Sequence, residues 1–245
     1  MSDDGFGQRR GPFRQRGFIA AAAFIALVLI AGIVVLLNHG SGGGKPSATG
    51  TTAPPVTASA SAPAGCAPSD TDQTVPTATP DVTWTLWNGE AVPTSSADGP
   101  AKVTGAVPTC YADTPVGALV ALTQVELRTQ VAQDPDLAAI TAADFVPNAG
   151  EAKAEALYQS GAQVSDYTAD FQVGGFEFVS YTKASATIQL AMVQTNGGDE
   201  SATFTVQYDS STDDWQGVLS SSGAFGTTLS GINGLTGYVS WSGVS

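Results

Sequence analysis

The chain has 245 residues, of which 42% are hydrophobic and 13% are charged, and its formal net charge is −13. The acidity is concentrated in residues 66–245, which carry four basic and twenty acidic side chains. Such a surface repels phosphate backbones and anionic lipid headgroups, so we expect no nucleic-acid partner. His39 is the single histidine in the chain. It lies just after the long apolar run that ends at residue 37, which places it beside a membrane and makes it unusable for a site in the domain. We therefore expect no histidine-based metal site, no Ser-His-Asp catalysis and no cofactor.

Residues 17–37, GFIAAAAFIALVLIAGIVVLL, contain no charged side chain. A helix of this length reaches roughly 31 Å, which matches the hydrocarbon core of a bilayer. A basic tail, residues 1–16, precedes it and holds four arginines: Arg9, Arg10, Arg14 and Arg16. Because positive charge stays cytoplasmic, we expect a single-pass cell-membrane protein with a cytoplasmic N-terminus and an extracytoplasmic C-terminal domain. A cleaved signal peptide is the alternative, but its apolar region is usually about 7–15 residues long, so an uncleaved anchor is favoured.

Residues 38–80 are rich in Gly, Ser, Thr, Ala and Pro. Such a composition cannot bury a core, and it predicts a disordered, flexible tether between the anchor and a domain at residues 81–245. Cys66 and Cys110 both lie on the predicted outer side, where disulfides persist. We expect them to pair, and a bridge between two chains is the alternative to one within the chain.

The first part of the domain predicts one strand and three helices. Residues 82–93 read as a strand followed by a turn at Asn88 and Gly89, and residues 95–113 are predicted to be loop-rich. Thr114 is a good N-cap, Pro115 fits the first helical position, and Pro135 stops the helix. The spacing of its apolar residues predicts a largely buried helix. Two shorter helices are expected near residues 136–145 and 149–160.

After residue 165 the hydrophobic period changes to two, which predicts an antiparallel meander. Gly174 and Gly175 predict a bulge in its first strand. Residues 209–214 predict a turn, and the apolar residues of the last 25 positions predict a tail that packs on the domain. Helices followed by sequential strands indicate an α+β fold. A long helix in the concave face of a bent sheet is the cone named after nuclear transport factor 2.

The stretch TNGGDES, residues 195–201, is similar to the GGDEF signature of cyclic di-GMP synthases. GTP is not supplied outside the cell, and the domain lacks a basic phosphate cradle. A hairpin turn is therefore favoured, in which the Asn and Gly residues adopt positive φ angles and Asp199 and Glu200 are solvated.

No residue pattern selects a catalytic site, and we expect the protein not to be an enzyme. The carboxylate pairs Asp134 with Asp136 and Asp213 with Asp214 fall in predicted turns, which favours solvated roles. Candidates for the inside of the cone are Tyr158, Asp170 and Tyr181. Trp84 and Trp87 are three residues apart in a strand, which predicts one in the core and the other on a contact surface.

Several motifs resemble a family of poorly characterised membrane-anchored proteins from high-GC Gram-positive bacteria: Trp84, Val92, Pro93, Ser95, Gly99, Pro100 and residues 114–119, TPVGAL. The strands up to residue 220 are also similar to the sheet of these domains. The resemblance implies a distant kinship with the membrane-anchored scaffold subunits of conjugation and type IV secretion machines. It implies an assembly or interaction module with protein partners or a homo-oligomer in the cell envelope. The alternative is a ligand-binding or enzymatic cone on the cell surface.

Overall fold

The computed structural model describes Cys66 and residues 68–160, 171–194 and 198–243. The basic tail, the predicted membrane segment and the tether up to residue 65 lie outside this part of the chain. Within it, no helix is both long enough and apolar enough to cross a membrane.

The described residues form three helices and ten strands. The helices are α1 (Pro115–Val131), α2 (Asp136–Asp144) and α3 (Ala149–Gln159). The first four strands precede them: β1 (Thr83–Trp87), β2 (Glu90–Thr94), β3 (Lys102–Thr104) and β4 (Val107–Thr109). The other six follow: β5 (Phe171–Thr182), β6 (Ser185–Gln194), β7 (Asp199–Asp209), β8 (Asp214–Gly217), β9 (Ser230–Ile232) and β10 (Val239–Ser240).

The main sheet is antiparallel and has the order β10-β5-β6-β7-β8, with β9 paired to the first residues of β7. Its centre is the predicted meander β5-β6-β7. The pairing of β5 with β6 shifts register between Val173 and Gly175, as the two glycines predict, and again between Phe178 and Ser180. The hairpins β1-β2 and β3-β4 form two separate ladders. The predicted α+β class is confirmed.

The main core lies between α1 and the inner face of the sheet. Ile188, Leu190 and Met192 of β6 are buried, as their alternation predicts, and so are Phe204 and Val206 of β7. A smaller apolar cluster joins α2 and α3 to the chain after β8. The main core packs α1 against the sheet, and the smaller cluster packs α2 and α3 against α1 and the chain after β8.

Helix α1 begins where the sequence predicts. The Thr114 hydroxyl oxygen accepts a hydrogen bond from the Gly117 N–H, and Pro115 occupies the first turn. Most of its residues are buried, which confirms the predicted burial. The helix ends at Val131, short of Pro135, because the chain already turns to an extended conformation at Ala132. The bounds of α2 and α3 lie within one residue of the predicted ones.

One local prediction is wrong and another lacks a detail. The segment 95–113, predicted to be loop-rich, also contains the β3-β4 hairpin, whose strands are three residues each and too short to show a period. Trp84 and Trp87 do not divide between core and surface, because both are half-buried against the main core.

The C-terminal segment packs on the domain as predicted. Trp241 is fully buried, and its ring lies 5.0 Å from that of Trp84. Strand β10 pairs with Phe176 and Gly175 at the edge of the main sheet.

A disulfide joins Cys66 to Cys110 within the chain. Residues 68–80, which composition places in the tether, contact the domain beyond it. The Gln73 amide donates to the Asp113 carbonyl oxygen at 2.6 Å, and the Thr79 hydroxyl donates to the Ser240 carbonyl oxygen at 2.8 Å.

Candidate functional site

A cavity of about 410 Å³ lies between the three helices, the sheet and the loop that follows β8. Exposed Ser222, Ala224 and Thr227 line one side, so the cavity is open to solvent there. Protein interiors rarely hold voids larger than a water molecule, whereas pockets for small ligands measure about 300–1,000 Å³. Its size therefore places it among ligand pockets rather than packing defects.

The walls are mostly apolar and rich in aromatic rings. The apolar and aromatic lining comprises Leu137, Phe145, Ala154, Leu157, Tyr158, Phe171, Met192, Ala202, Phe204, Leu219, Phe225 and Leu229. The Phe225 ring contacts the Phe145 and Phe204 rings, each with centroids 5.0 Å apart. The wall on the loop side is thus a packed aromatic cluster, which suits an apolar guest.

One residue with a carboxyl side chain lies in the described lining of the cavity. Glu126 of α1 is half-buried in the lining, and burial raises its pKa to about 7. The Gln130 amide donates to its Oε1 at 2.7 Å, which acts in the opposite direction. At neutral pH the group is therefore divided between its protonated and ionised forms.

The other polar side chains from α1 and α2 are already engaged within their helices. The Thr129 hydroxyl donates to the Val125 carbonyl oxygen, and the Thr141 hydroxyl donates to the Leu137 carbonyl oxygen, at 2.9 and 2.8 Å. Glu126 is therefore the principal polar group that α1 and α2 present to a ligand.

The start of α1 is held in place by the chain that precedes it. The Thr114 hydroxyl donates to buried Asp98 at 2.9 Å while it caps the helix. Gly117 lies against the preceding chain so closely that a Cβ would be 2.1 Å from the Ala112 carbonyl oxygen. The contacts of this first turn fix the start of α1, and Glu126 lies in the cavity lining further along the same helix.

Arg128 fixes the same helix from its other side. Its guanidinium donates to the Gln124 side chain at 2.6 Å and to the Ala106 carbonyl oxygen at 3.0 Å, and it lies 4.7 Å from the Trp87 ring centroid. Gln124 in turn donates to the Pro93 carbonyl oxygen at 2.7 Å. The network ties α1 to both hairpins.

A buried acidic cluster lies beside Arg128 and outside the cavity lining. The Asp214 carboxylate accepts hydrogen bonds from the backbone N–H groups of Cys110, Tyr111 and Trp215. These bonds lower its pKa, but burial has the larger effect and raises the pKa to about 6. Burial and the nearby Asp214 charge raise the pKa of Asp144 to about 8. In the described part of the chain, the Tyr111 hydroxyl and Asp144 Oδ2 are buried without a hydrogen-bond partner.

The solvated role predicted for Asp214 is therefore wrong. Its carboxylate binds the chain just before α1 to the start of β8, a contact across about one hundred residues that no local pattern shows. Asp213 behaves as a turn residue and accepts a hydrogen bond from the Tyr208 hydroxyl.

The residues predicted for the inside of a cone have different outcomes. Tyr158 lines the cavity. The Tyr181 hydroxyl instead donates to Gln73 at 2.9 Å, and Asp170 lies outside the described residues. Sequence reasoning missed Glu126, although a lone carboxyl within a buried helix was a visible signal.

Asp199 and Glu200 are the first residues of β7, and the Gln194 amide donates to Glu200 at 3.0 Å. Gly198 has a φ of +126°, as expected of a turn between β6 and β7, and residues 195–197 lie outside the described part. The four flanking arginines also lie outside it. No group of three or more His, Cys, Asp or Glu side chains in the described part is arranged to hold a metal ion.

A family model described as a domain of unknown function, DUF8175, matches residues 46–240. No curated protein and no solved structure matches the chain. The match spans the helices, the main sheet and the candidate cavity, and covers most of the sequence. The chain therefore belongs to the DUF8175 family.

Proposed function

We propose that this chain is a membrane-tethered, extracytoplasmic binding domain whose ligand is a small, largely apolar molecule. The observation that carries the proposal is the aromatic-lined cavity of about 410 Å³ with Glu126 in its wall. An apolar pocket with few polar groups is the usual form of a small-molecule site. The proposed anchor is the uncharged segment at residues 17–37.

The position of the cavity supports kinship with the nuclear transport factor 2 cone. That architecture holds its pocket between helices and a bent sheet. Strand β5 has two register shifts, and such bulges bend a strand. The kinship concerns architecture, and the ligand is argued from the cavity alone.

Binding rather than catalysis is supported by the chemistry of the lining. Among the described residues, those that line the cavity include one carboxyl side chain and no histidine, cysteine, lysine or arginine. General acid–base and nucleophilic catalysis each require a paired group beside the first. We therefore propose a non-enzymatic role.

The experiment uses the side chain of Met192, which lines the cavity. The chain has two methionines, so methyl-labelled protein gives a site-specific NMR signal from Met192 beside that of Met1. Full-length protein in lipid nanodiscs is titrated with phenylpropanol, a neutral apolar probe. We expect a saturable shift of the Met192 methyl signal.

Ala202→Leu is the matched variant, because Ala202 is buried in β7 and lines the cavity. The larger side chain fills part of the space and should abolish the shift, while the unliganded spectrum keeps the dispersion of a folded domain. A Met192 signal that phenylpropanol leaves unchanged in the wild-type protein would overturn the proposal.

A second candidate function is the assembly module that the sequence resemblance implies. Three large apolar side chains favour it because they are exposed: Leu86 at 77%, Val103 at 50% and Val179 at 60%. A photo-cross-linking residue at position 86 is expected to capture an envelope protein or a second copy. The same residue at exposed Ser211 is the control, and equal products from both positions would contradict the assembly role.

A further inference from the structure

Glu126 lines the cavity, and its carboxyl group has no basic partner among the described residues. Residues 66–245 contain four basic side chains, and none of them lines the cavity: Lys102, Arg128, Lys153 and Lys183. The Arg128 guanidinium is bound to Gln124, Ala106 and the Trp87 ring. Lys183 pairs with Asp113 at 3.8 Å. Among the described residues, therefore, no cation neutralises Glu126.

A carboxylate in such a position is costly, because an apolar wall replaces part of its hydration. One amide hydrogen bond from Gln130 offsets a fraction of this cost. Thr129 and Gln130, the other lining residues of α1, already make hydrogen bonds within the helix. A carboxyl held beside aromatic rings without a cation points to a use in recognition.

We propose that the ligand is an organic cation, an apolar and preferably aromatic primary amine whose ammonium group binds the Glu126 carboxylate. The inference rests on the proposed function and specifies the chemistry of its ligand. Charge complementarity favours the ammonium group, and the surrounding Phe and Tyr rings accommodate the apolar body and attract the cation. The same carboxylate repels an anionic ligand.

The test compares three ligands of one shape that differ only in the polar group: phenylpropylamine, phenylpropanol and phenylpropanoate. Binding to full-length protein in nanodiscs is followed at the Met192 methyl signal near pH 8. The amine is expected to bind about ten- to a hundredfold more tightly than the alcohol, as for a hydrogen bond to a charged group, and the carboxylate more weakly than both.

Glu126→Gln removes the charge and retains the shape and a partner for Gln130. In this variant the amine and the alcohol are expected to bind with equal affinity. Glu155→Gln is the matched control, since Glu155 also accepts a hydrogen bond from a glutamine one turn later but lies exposed on α3. The control is expected to retain the full preference for the amine.

The pH dependence of the affinity for the amine tests separately whether the ionised Glu126 carboxylate binds the ammonium group. In the part of the chain that the structure describes, Glu126 and Tyr158 are the titratable side chains that line the cavity from the helices, the sheet and the loop. Since burial raises the Glu126 pKa to about 7, affinity for the amine should fall as pH drops below that value, by up to roughly tenfold per pH unit, until it equals the affinity for the alcohol. The alcohol should show no such fall, and neither ligand should in Glu126→Gln.

The outcomes separate the two proposals. If none of the three ligands shifts the Met192 signal, both the proposed function and this inference fail. If the alcohol binds but the amine has no advantage, or if Glu126→Gln keeps the advantage, the cavity is a binding site and the cationic ligand is refuted.

Discussion

Asp144 at the end of α2 makes the stability of the domain depend on pH. The side chain is buried with 4% exposure, and its Oδ2 has no hydrogen-bond partner in the described part of the chain. Burial, and then the charge of Asp214, raise its pKa from 3.8 to about 8, against a smaller opposite effect of Arg128. In the folded protein the group is therefore protonated at neutral pH.

The sign of the effect follows from proton linkage. Between about pH 4 and pH 8 the folded state holds a proton on Asp144 that the unfolded state releases, so the free energy of unfolding falls as pH rises. Each pH unit in this window costs about 1.4 kcal/mol. The whole window therefore costs several kcal/mol, and burial of Asp214 acts in the same direction.

Asp144→Asn replaces the protonated acid by a neutral amide of the same shape. We expect it to flatten the decline in stability between pH 5 and pH 8 by up to about 1.4 kcal/mol per pH unit. The variant should be stabilised by several kcal/mol relative to wild type near pH 8 and differ little near pH 5.

Urea unfolding of both proteins across this pH range measures the slope directly. Asp81→Asn, a change at an exposed carboxyl, is the control and should leave the slope unchanged. A wild-type domain whose stability rises from pH 5 to pH 8, or a variant with the wild-type slope, would refute the reasoning.

Three further predictions concern the bridge, the topology and the β6-β7 turn. Cys66→Ser opens a loop whose ends are 44 residues apart and should cost about 4 kcal/mol of unfolding free energy, measured by urea unfolding; an unchanged midpoint would contradict it. A reporter fused after residue 50 should be active outside the cell and inactive in the cytoplasm, and the reverse pattern would refute the predicted topology. The fragment of residues 66–245 should fold without GTP-dependent cyclase activity, and replacing Asp199 and Glu200 by Ala should change its stability little, which thermal unfolding and a product assay check.

The sequence predicts those parts of the fold that depend on local chemistry. Thr114 and Pro115 mark the start of α1 because a hydroxyl cap and a fixed φ act within one turn. The alternation in β6 and β7 predicts their inner faces, since one side of the sheet is buried throughout. The turn at Asn88 and Gly89 follows from the positive φ angles that both adopt.

The errors occur where contacts distant in sequence decide the structure. The β3-β4 hairpin is stabilised by Arg128, which donates to its turn at Ala106 from a helix that begins later in the chain. Asp214 is buried because Cys110 and Tyr111 supply N–H donors to it. Neither contact leaves a periodic pattern in the sequence.

For the candidate site, too, the sequence indicates single residues but not the contacts between distant segments. Tyr158 was among the residues predicted to face inward, but nothing near it in sequence indicates that it shares a cavity with Glu126 and Phe225. The cavity forms only when α1, α3 and the loop after β8 meet on the sheet. A site built from separated elements of this kind becomes visible in the folded structure.

A crystal structure of the domain soaked with phenylpropylamine tests the central claim most directly. The account predicts the ring among the aromatic side chains of the cavity and the ammonium nitrogen about 3 Å from a carboxylate oxygen of Glu126. An ordered cavity without the amine, or an amine whose nitrogen points to solvent away from Glu126, would contradict it.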